Sequence, residues 1–260
     1  MKDARETWYD PERKVAVTLV DVTEAATALV RGHLAGPTSG HFLTRALAAA
    51  ALLGAETSEP EETLIVQMKC TGPLGGFNVE CTAAGTLRGY TEKKILDDFD
   101  GLGAPDPKKV VGDYRLQITR SVPGRILSQG IAASLDGYLA DSLQRRACIR
   151  LEAAVSDELE IREARGVLIE ALPDSAADAA ALAATLKRGD LATASRTLLK
   201  KLGLAAAELK KTEPLRFACR CSPERAVAML QAMTPEERAD LPPTIDITCH
   251  MCGKIFTVKV

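Results

Sequence analysis

Apolar positions along this chain change period repeatedly, and each change marks an expected element. Residues 10–14 are polar and predict a frayed start. Residues 15–20 carry Val15, Val17, Leu19 and Val20; they alternate only weakly but are β-rich, which predicts a strand. Thr23 suits the N-cap of a helix running to about Arg31. Residues 36–40 contain Gly36, Pro37 and Gly40 and predict a loop. The alanine-rich stretch over 41–56 then predicts a tightly packed, buried helix. Residues 63–70 and 76–83 are β-rich runs joined by Gly72, Pro73 and Gly75, which supply turn geometry for a hairpin.

Further on, residues 85–90 predict a short strand and 96–109 a polar loop broken by Gly and Pro. Residues 114–120 alternate by two and predict a half-buried strand; 125–129 predict another. Ile131, Leu135, Tyr138, Leu139 and Leu143 fall on one helical face over 131–144. Residues 148–155 and 163–171 predict two more strands before Pro173. Over 174–216, leucines recur amid alanine and charge, predicting helix interrupted at Gly189 and Gly203. An interior glycine costs about 1 kcal/mol against alanine, so such helices hold only while docked. The pattern is mixed α+β rather than regular βαβ alternation. It predicts a mixed-sheet N-terminal domain with packed helices over 1–173, a helical connector over 174–216 and a small C-terminal zinc-binding module over 217–260.

The module is predicted from four cysteines. Cys219 and Cys221 form a C-x-C, and after residues 222–248 Cys249 and Cys252 form a C-x-x-C. Thiolate is a natural donor for Zn²⁺, which closes a tetrahedron with four sulfurs at about 2.3 Å. A closed site of this kind is structural or redox-sensing rather than hydrolytic. A thioredoxin-like pair would want a following helix, whereas residues 253–258 read as a strand; haem attachment would want His where Gly253 stands. A zinc deaminase would need H-x-E, which follows neither His33 nor His41. His250 in place of one sulfur is an alternative ligand. Cys70, Cys81 and Cys148 fall in predicted strands and are expected as core packing. His33 and His41 lack ligand-spaced neighbours and are expected as surface or capping residues.

Composition narrows the class. The 260 residues are 46% hydrophobic, which allows one large domain or two smaller ones with ample core. Seven cysteines are too sparse for a secreted disulfide scaffold and favour a metal in a reducing compartment. The charged N-terminus leads into no apolar h-region, and the apolar run 46–53 is far short of the roughly 20 residues that span a bilayer. A soluble, cytoplasmic protein is expected, without a membrane partner. The net charge of −2 is uneven: residues 187–216 hold eight Lys/Arg against three Asp/Glu, while the preceding body is acidic. The basic connector is expected to rest on that body.

On its motifs the chain resembles a known family, the redox-regulated heat-shock holdase called the 33 kDa chaperonin. Residues 219–225, Cys-Arg-Cys-Ser-Pro-Glu-Arg, are similar to that family's C-x-C-S-x-E-R, and 249–252 to its C-x-x-C. The glycine-rich turn 72–76 followed by Arg88, Gly89 and Tyr90 resembles its hairpin and R-G-Y signature. Residues 125–138 and 166–173 resemble two further segments, with Arg165 where the family carries the first glycine of a pair.

The resemblance implies a chaperone and not an enzyme, one that binds unfolding client proteins without ATP under oxidative stress. It implies Zn²⁺ on Cys219, Cys221, Cys249 and Cys252 in the reduced, inactive state. Activation would form disulfides Cys249–Cys252 and Cys219–Cys221, release zinc and unfold the connector as a metastable linker. Residues 1–173 would bind clients and dimerise when oxidised, and ATP-dependent foldases would act downstream. No Walker G-x-x-x-x-G-K-[ST] occurs, in keeping with this. Two other classes stand beside it. One is a zinc-ribbon nucleic-acid binder, disfavoured by the acidic body; the other is a thiol-disulfide oxidoreductase using Cys249 and Cys252.

Overall fold

The computed structural model describes residues 3–102 and 105–260. Strands β1 (Ala4–Asp10) and β2 (Val15–Asp21) pair antiparallel, so the polar residues 11–14 are the turn of a hairpin rather than a frayed start. Helix α1 (Thr23–His33) follows. Thr23 is its first residue and not its cap: the N–H groups of Glu24 and Ala25 are received by the Asp3 carboxylate at 2.9 and 2.6 Å. Helix α2 (Pro37–Leu53) begins inside the expected loop. Proline suits the first turn because the N–H it lacks has no helical partner there, and Asp100 receives the N–H of Thr38.

Strands β3 (Thr63–Cys70), β4 (Gly76–Thr82) and β5 (Thr86–Thr91) form the expected meander. A short helix α3 (Pro107–Val111) precedes β6 (Tyr114–Val122) and β7 (Arg125–Ala132). The helix expected over 131–144 shrinks to α4 (Leu135–Gly137) and a π turn at Tyr138–Ser142, because Ile131 belongs to the β7 ladder opposite Gln117. Strands β8 (Arg146–Val155) and β9 (Ile161–Ala171) complete the body.

The segment after Pro173 is only partly helical. Helices α5 (Ala179–Ala184) and α6 (Ser195–Lys201) are short, and Gly189 and Gly203 both take positive φ, where a Cβ would strain the backbone. Residues expected to continue the helix instead form β10 (Glu208–Pro214), antiparallel to β1. The open edge of β1 supplies a ladder that outweighs the leucine periodicity. Then come β11 (Arg216–Phe217), α7 (Pro223–Gln231), α8 (Pro235–Ala239) and the hairpin β12 (Thr244–Thr248) and β13 (Ile255–Lys259).

Besides the two-stranded β12-β13 sheet, the described residues form two larger sheets, in the orders β10-β1-β2-β9-β8 and β11-β5-β4-β3-β6-β7. Helix α2 is sandwiched between them, touching β8 and β9 on one side and β4 and β5 on the other. A helix buried all round needs small side chains, and Ala46, Ala48, Ala49, Ala50 and Ala51 are all buried. Gly166 on β9 follows the same logic, since a Cβ there would lie 2.8 Å from Leu52 and 3.0 Å from Leu151.

The first sheet is buried on both faces, which explains the weak alternation of residues 15–20. Val20 and Leu168 face α2. Val15, Val17, Val167 and Ile169 face the other way and are covered by Leu182, Leu198, Leu199, Leu202 and Leu204 of the connector. The basic connector does rest on the body, but its lysines are not what holds it: the ion pairs across the contact are Glu213 with the buried Arg5 at 3.0 Å and Asp174 with Lys14 at 3.7 Å. Lys201 pairs with Asp190 and Lys210 with Glu208, both within the connector. Arg196 stacks over Trp8 at 4.7 Å, and the hydroxyl of Ser195 donates to Glu6 at 2.6 Å. Apolar burial holds the connector down.

Candidate metal centre

The four-cysteine module has a small core of its own: Ala226, Leu230, Phe256 and Val258, with Cys221 and Cys249 packed against it. So few buried side chains cannot hold some forty residues folded without a staple. Each cysteine pair lies on a short, well-determined turn. Cys219 and Cys221 follow β11, and Ser222 then caps α7 by accepting the N–H of Arg225. Cys249 to Cys252 form the tip of the β12–β13 hairpin, where the Cys249 carbonyl accepts the N–H of Gly253 at 2.9 Å.

These turns bring the four sulfurs together. Cys219 Sγ lies 3.7 Å from Cys249 Sγ, Cys221 Sγ lies 3.5 Å from Cys252 Sγ, and all four lie within 4.8 Å of one another. A tetrahedron of sulfurs at about 2.3 Å from zinc has edges of about 3.8 Å, so the donor set fits Zn²⁺. His250 points elsewhere: its ring meets Tyr90 edge-on with centroids 3.9 Å apart. The alternative of His250 as a ligand is therefore disfavoured.

The cluster is docked on the body along β5 and α1. β11 pairs parallel with β5, placing Arg216 and Phe217 beside Thr86 and Leu87. The N–H of Gly89 donates to the Met251 carbonyl at 3.1 Å. On the other side of that peptide strand, His33 Nε2 donates to the Gly89 carbonyl at 2.7 Å. Two glycines permit the approach: a Cβ on Gly32 would meet the Cys252 carbonyl at 2.6 Å, and one on Gly253 would collide with the Gly32 carbonyl. His33 is thus a buried structural residue rather than a surface one. Burial, which disfavours the charged ring, is the main cause that lowers its pKa. Half-buried His41 shifts the same way, mainly by burial, to about 4.

The electrostatics of the cluster come partly from the body. Arg88 lies 3.7 Å from Cys219 Sγ and pairs with Glu80 at 2.7 Å, and Arg220 reaches Glu80 at 3.5 Å. Burial pushes the Cys219 thiol up, but the Cys221 backbone N–H and the Arg88 guanidinium outweigh it and bring the thiol to about 7. Burial raises Cys221 and Cys252. Arg88 was the residue missing from any reading confined to the module; the signal for it was the R-G-Y motif, whose three residues all touch the cysteine turns. Of the remaining thiols, Cys81 and Cys148 are buried as expected, while Cys70 is half-buried. Burial pushes the Cys81 thiol up to about 11.

A family model described as Hsp33 protein matches residues 7–259. The chain belongs to the Hsp33 family. Among curated relatives, a 33 kDa chaperonin of Thermus thermophilus is 30% identical, covering 94% of this chain and 80% of that protein. The 33 kDa chaperonin of a Cyanothece species is 28% identical over 95% of this chain and 89% of its own. The crystal structure of the 33 kDa chaperonin of Thermotoga maritima has a TM-score of 0.86 over 100% of this chain and 95% of that one, at 17% identity. That similarity shows the mixed α+β fold of Hsp33, and the family is one of chaperones.

Proposed function

We propose that this chain is a redox-regulated, ATP-independent holdase that captures unfolding proteins under oxidative stress. One observation carries the reading: the segment that covers the apolar face of the first sheet leads directly into the cysteine cluster. Ala218 alone separates β11 from Cys219. Whatever loosens the cluster therefore pulls on the connector that hides Val17, Val167 and Ile169.

Cys219, Cys221, Cys249 and Cys252 would hold Zn²⁺ in the reduced state. When bound, the ion cross-links two turns and neutralises thiolate charge, contributing folding free energy the small core lacks. Oxidation by peroxide converts each thiolate pair to a disulfide: the two sulfurs give up two electrons to the peroxide, which takes two protons from solvent and leaves as two waters. On the family resemblance we assign the pairs as Cys249–Cys252 and Cys219–Cys221. Each disulfide removes two donors, so the module over 217–260 loses its metal and unfolds. The connector over 174–216 then undocks as a metastable linker. The exposed face of residues 1–173 binds clients and supports a homodimer, and ATP-dependent foldases receive the clients later. A reducing cytoplasm is the compartment in which the resting thiolates persist.

The test is aggregation of a heat-unfolded client in the presence of the zinc-loaded reduced chain or the peroxide-treated chain, with released zinc quantified. Suppression only after zinc release supports the switch. Zinc release without client protection sinks it, and equal protection in both states leaves a chaperone without redox control.

A further inference from the structure

A cavity of about 500 Å³ opens between α2 and the strands β3, β4, β6 and β8, and no residue of the cysteine module lines it. Its size suits a small ligand, for which roughly 300–1,000 Å³ is usual. Phe42, Ala46, Val66, Met68, Phe77 and Leu116 wall it. Its charged lining is mostly cationic: Arg45, Lys108 and Arg150, against the single carboxylate of Asp136.

Those four charges are not equivalent. Asp136 is already committed, accepting the Ile149 N–H at 2.7 Å and lying 3.3 Å from Cys148 Sγ and 3.6 Å from Arg150. Arg150 is thereby partly compensated. Arg45, half-buried on α2, has no ion-pair or hydrogen-bond partner among the described residues, and only burial perturbs it. A guanidinium against apolar walls without a counter-charge is costly, and one anionic group delivered from outside would relieve it. The planar fork of arginine matches a carboxylate, and the walls match an aliphatic chain.

We propose that this cavity binds an aliphatic carboxylate, with Arg45 receiving the head group and the walls of α2, β3, β4 and β6 enclosing the chain. The site is independent of the redox reading, and nothing in it requires the cysteines.

The experiment uses the full zinc-loaded chain carrying ¹³C-methyl methionine. Met68 reports on the cavity, while Met229, Met233 and Met251 in the cysteine module serve as internal references. Decanoate is titrated below its micelle concentration, with decan-1-ol as the uncharged control and acetate as the chainless one. The expected result is a saturable shift of the Met68 methyl with decanoate, about tenfold or more tighter than with decan-1-ol, and none with acetate. Arg45→Met abolishes the preference for decanoate over the alcohol. No saturable Met68 shift, equal affinity for acid and alcohol, or a preference that survives in Arg45→Met would overturn the proposal. The acid-to-alcohol comparison needs no variant, so it decides the matter even where Arg45→Met fails to fold.

Discussion

Leu199→Ala isolates the connector as an energetic unit. Leu199 is only 1% exposed and belongs to the layer that covers Val17, Val167 and Ile169. The substitution deletes three buried carbons at about 0.8 kcal/mol each, and incomplete collapse around the gap brings the cost to about 3 kcal/mol. Alanine is a slightly better helix former, so α6 itself loses nothing in propensity. If the connector opens separately from the body, the whole cost falls on that local equilibrium. Its opening constant then rises roughly a hundredfold, one factor of ten per about 1.4 kcal/mol. Hydrogen exchange followed by mass spectrometry reads this directly. Peptides spanning 195–207 should lose about two decades of protection in the reduced, zinc-loaded chain, while peptides from 46–53 on α2 stay unchanged. The same variant should suppress client aggregation without peroxide. Equal loss of protection in both regions would show that the connector opens only with the whole fold, and the idea of a separately docked segment would be wrong.

Three further outcomes are expected. Gly32→Ala pushes on the Cys252 carbonyl, 2.6 Å from the new Cβ, so it should displace the module while leaving all four thiols and the zinc content intact; proteolysis near residue 218 should quicken, and unchanged proteolysis would refute the docking role of α1. Glu62 is fully buried. Burial raises its pKa, but Arg120 and the N–H groups of Ser58 and Glu59 outweigh that and bring it from 4.5 to about 2. Its stabilisation is therefore present above about pH 4.5 and lost as pH falls through about 2. The urea midpoint of Glu62→Gln should trail the unmodified chain at pH 6 by more than at pH 2.5, and a gap independent of pH would contradict the assignment. Gly166→Ala crowds Leu52 and Leu151 and should cost about 1–3 kcal/mol in urea unfolding; a neutral result would mean α2 can shift away from β9.

Much of this was legible along the chain. The cysteine spacing pointed to the four sulfurs that the fold gathers, and the alanine run to the helix between the sheets. Period-two stretches located most of the strands of the body. What escaped were elements whose partner is remote. Residues 208–214 look helical beside their leucines and become a strand only because β1 offers a free edge some two hundred residues away. Ile131 fits a helical face yet is claimed by the β7 ladder. His33 has no ligand-spaced neighbour, and its role arises from the Gly89 carbonyl across the fold. The same holds for Arg88, whose partner Cys219 is 131 positions on. Local pattern reveals what a segment buries; the identity of what covers it is a long-range fact.

The pairing of Ala4 with Pro214 also governs how the protein is born. β2 covers one side of β1 almost as soon as both are made, but the strand for its other side is made some two hundred residues later. Until residues 208–214 are made β1 keeps an unpaired edge, and until residues 182–204 are made the first sheet also keeps a bare outer face. Such edges recruit other strands. On the ribosome this chain is therefore itself an aggregation-prone client until its connector emerges, and a stalled or truncated product lacking β10 keeps that hazard for good.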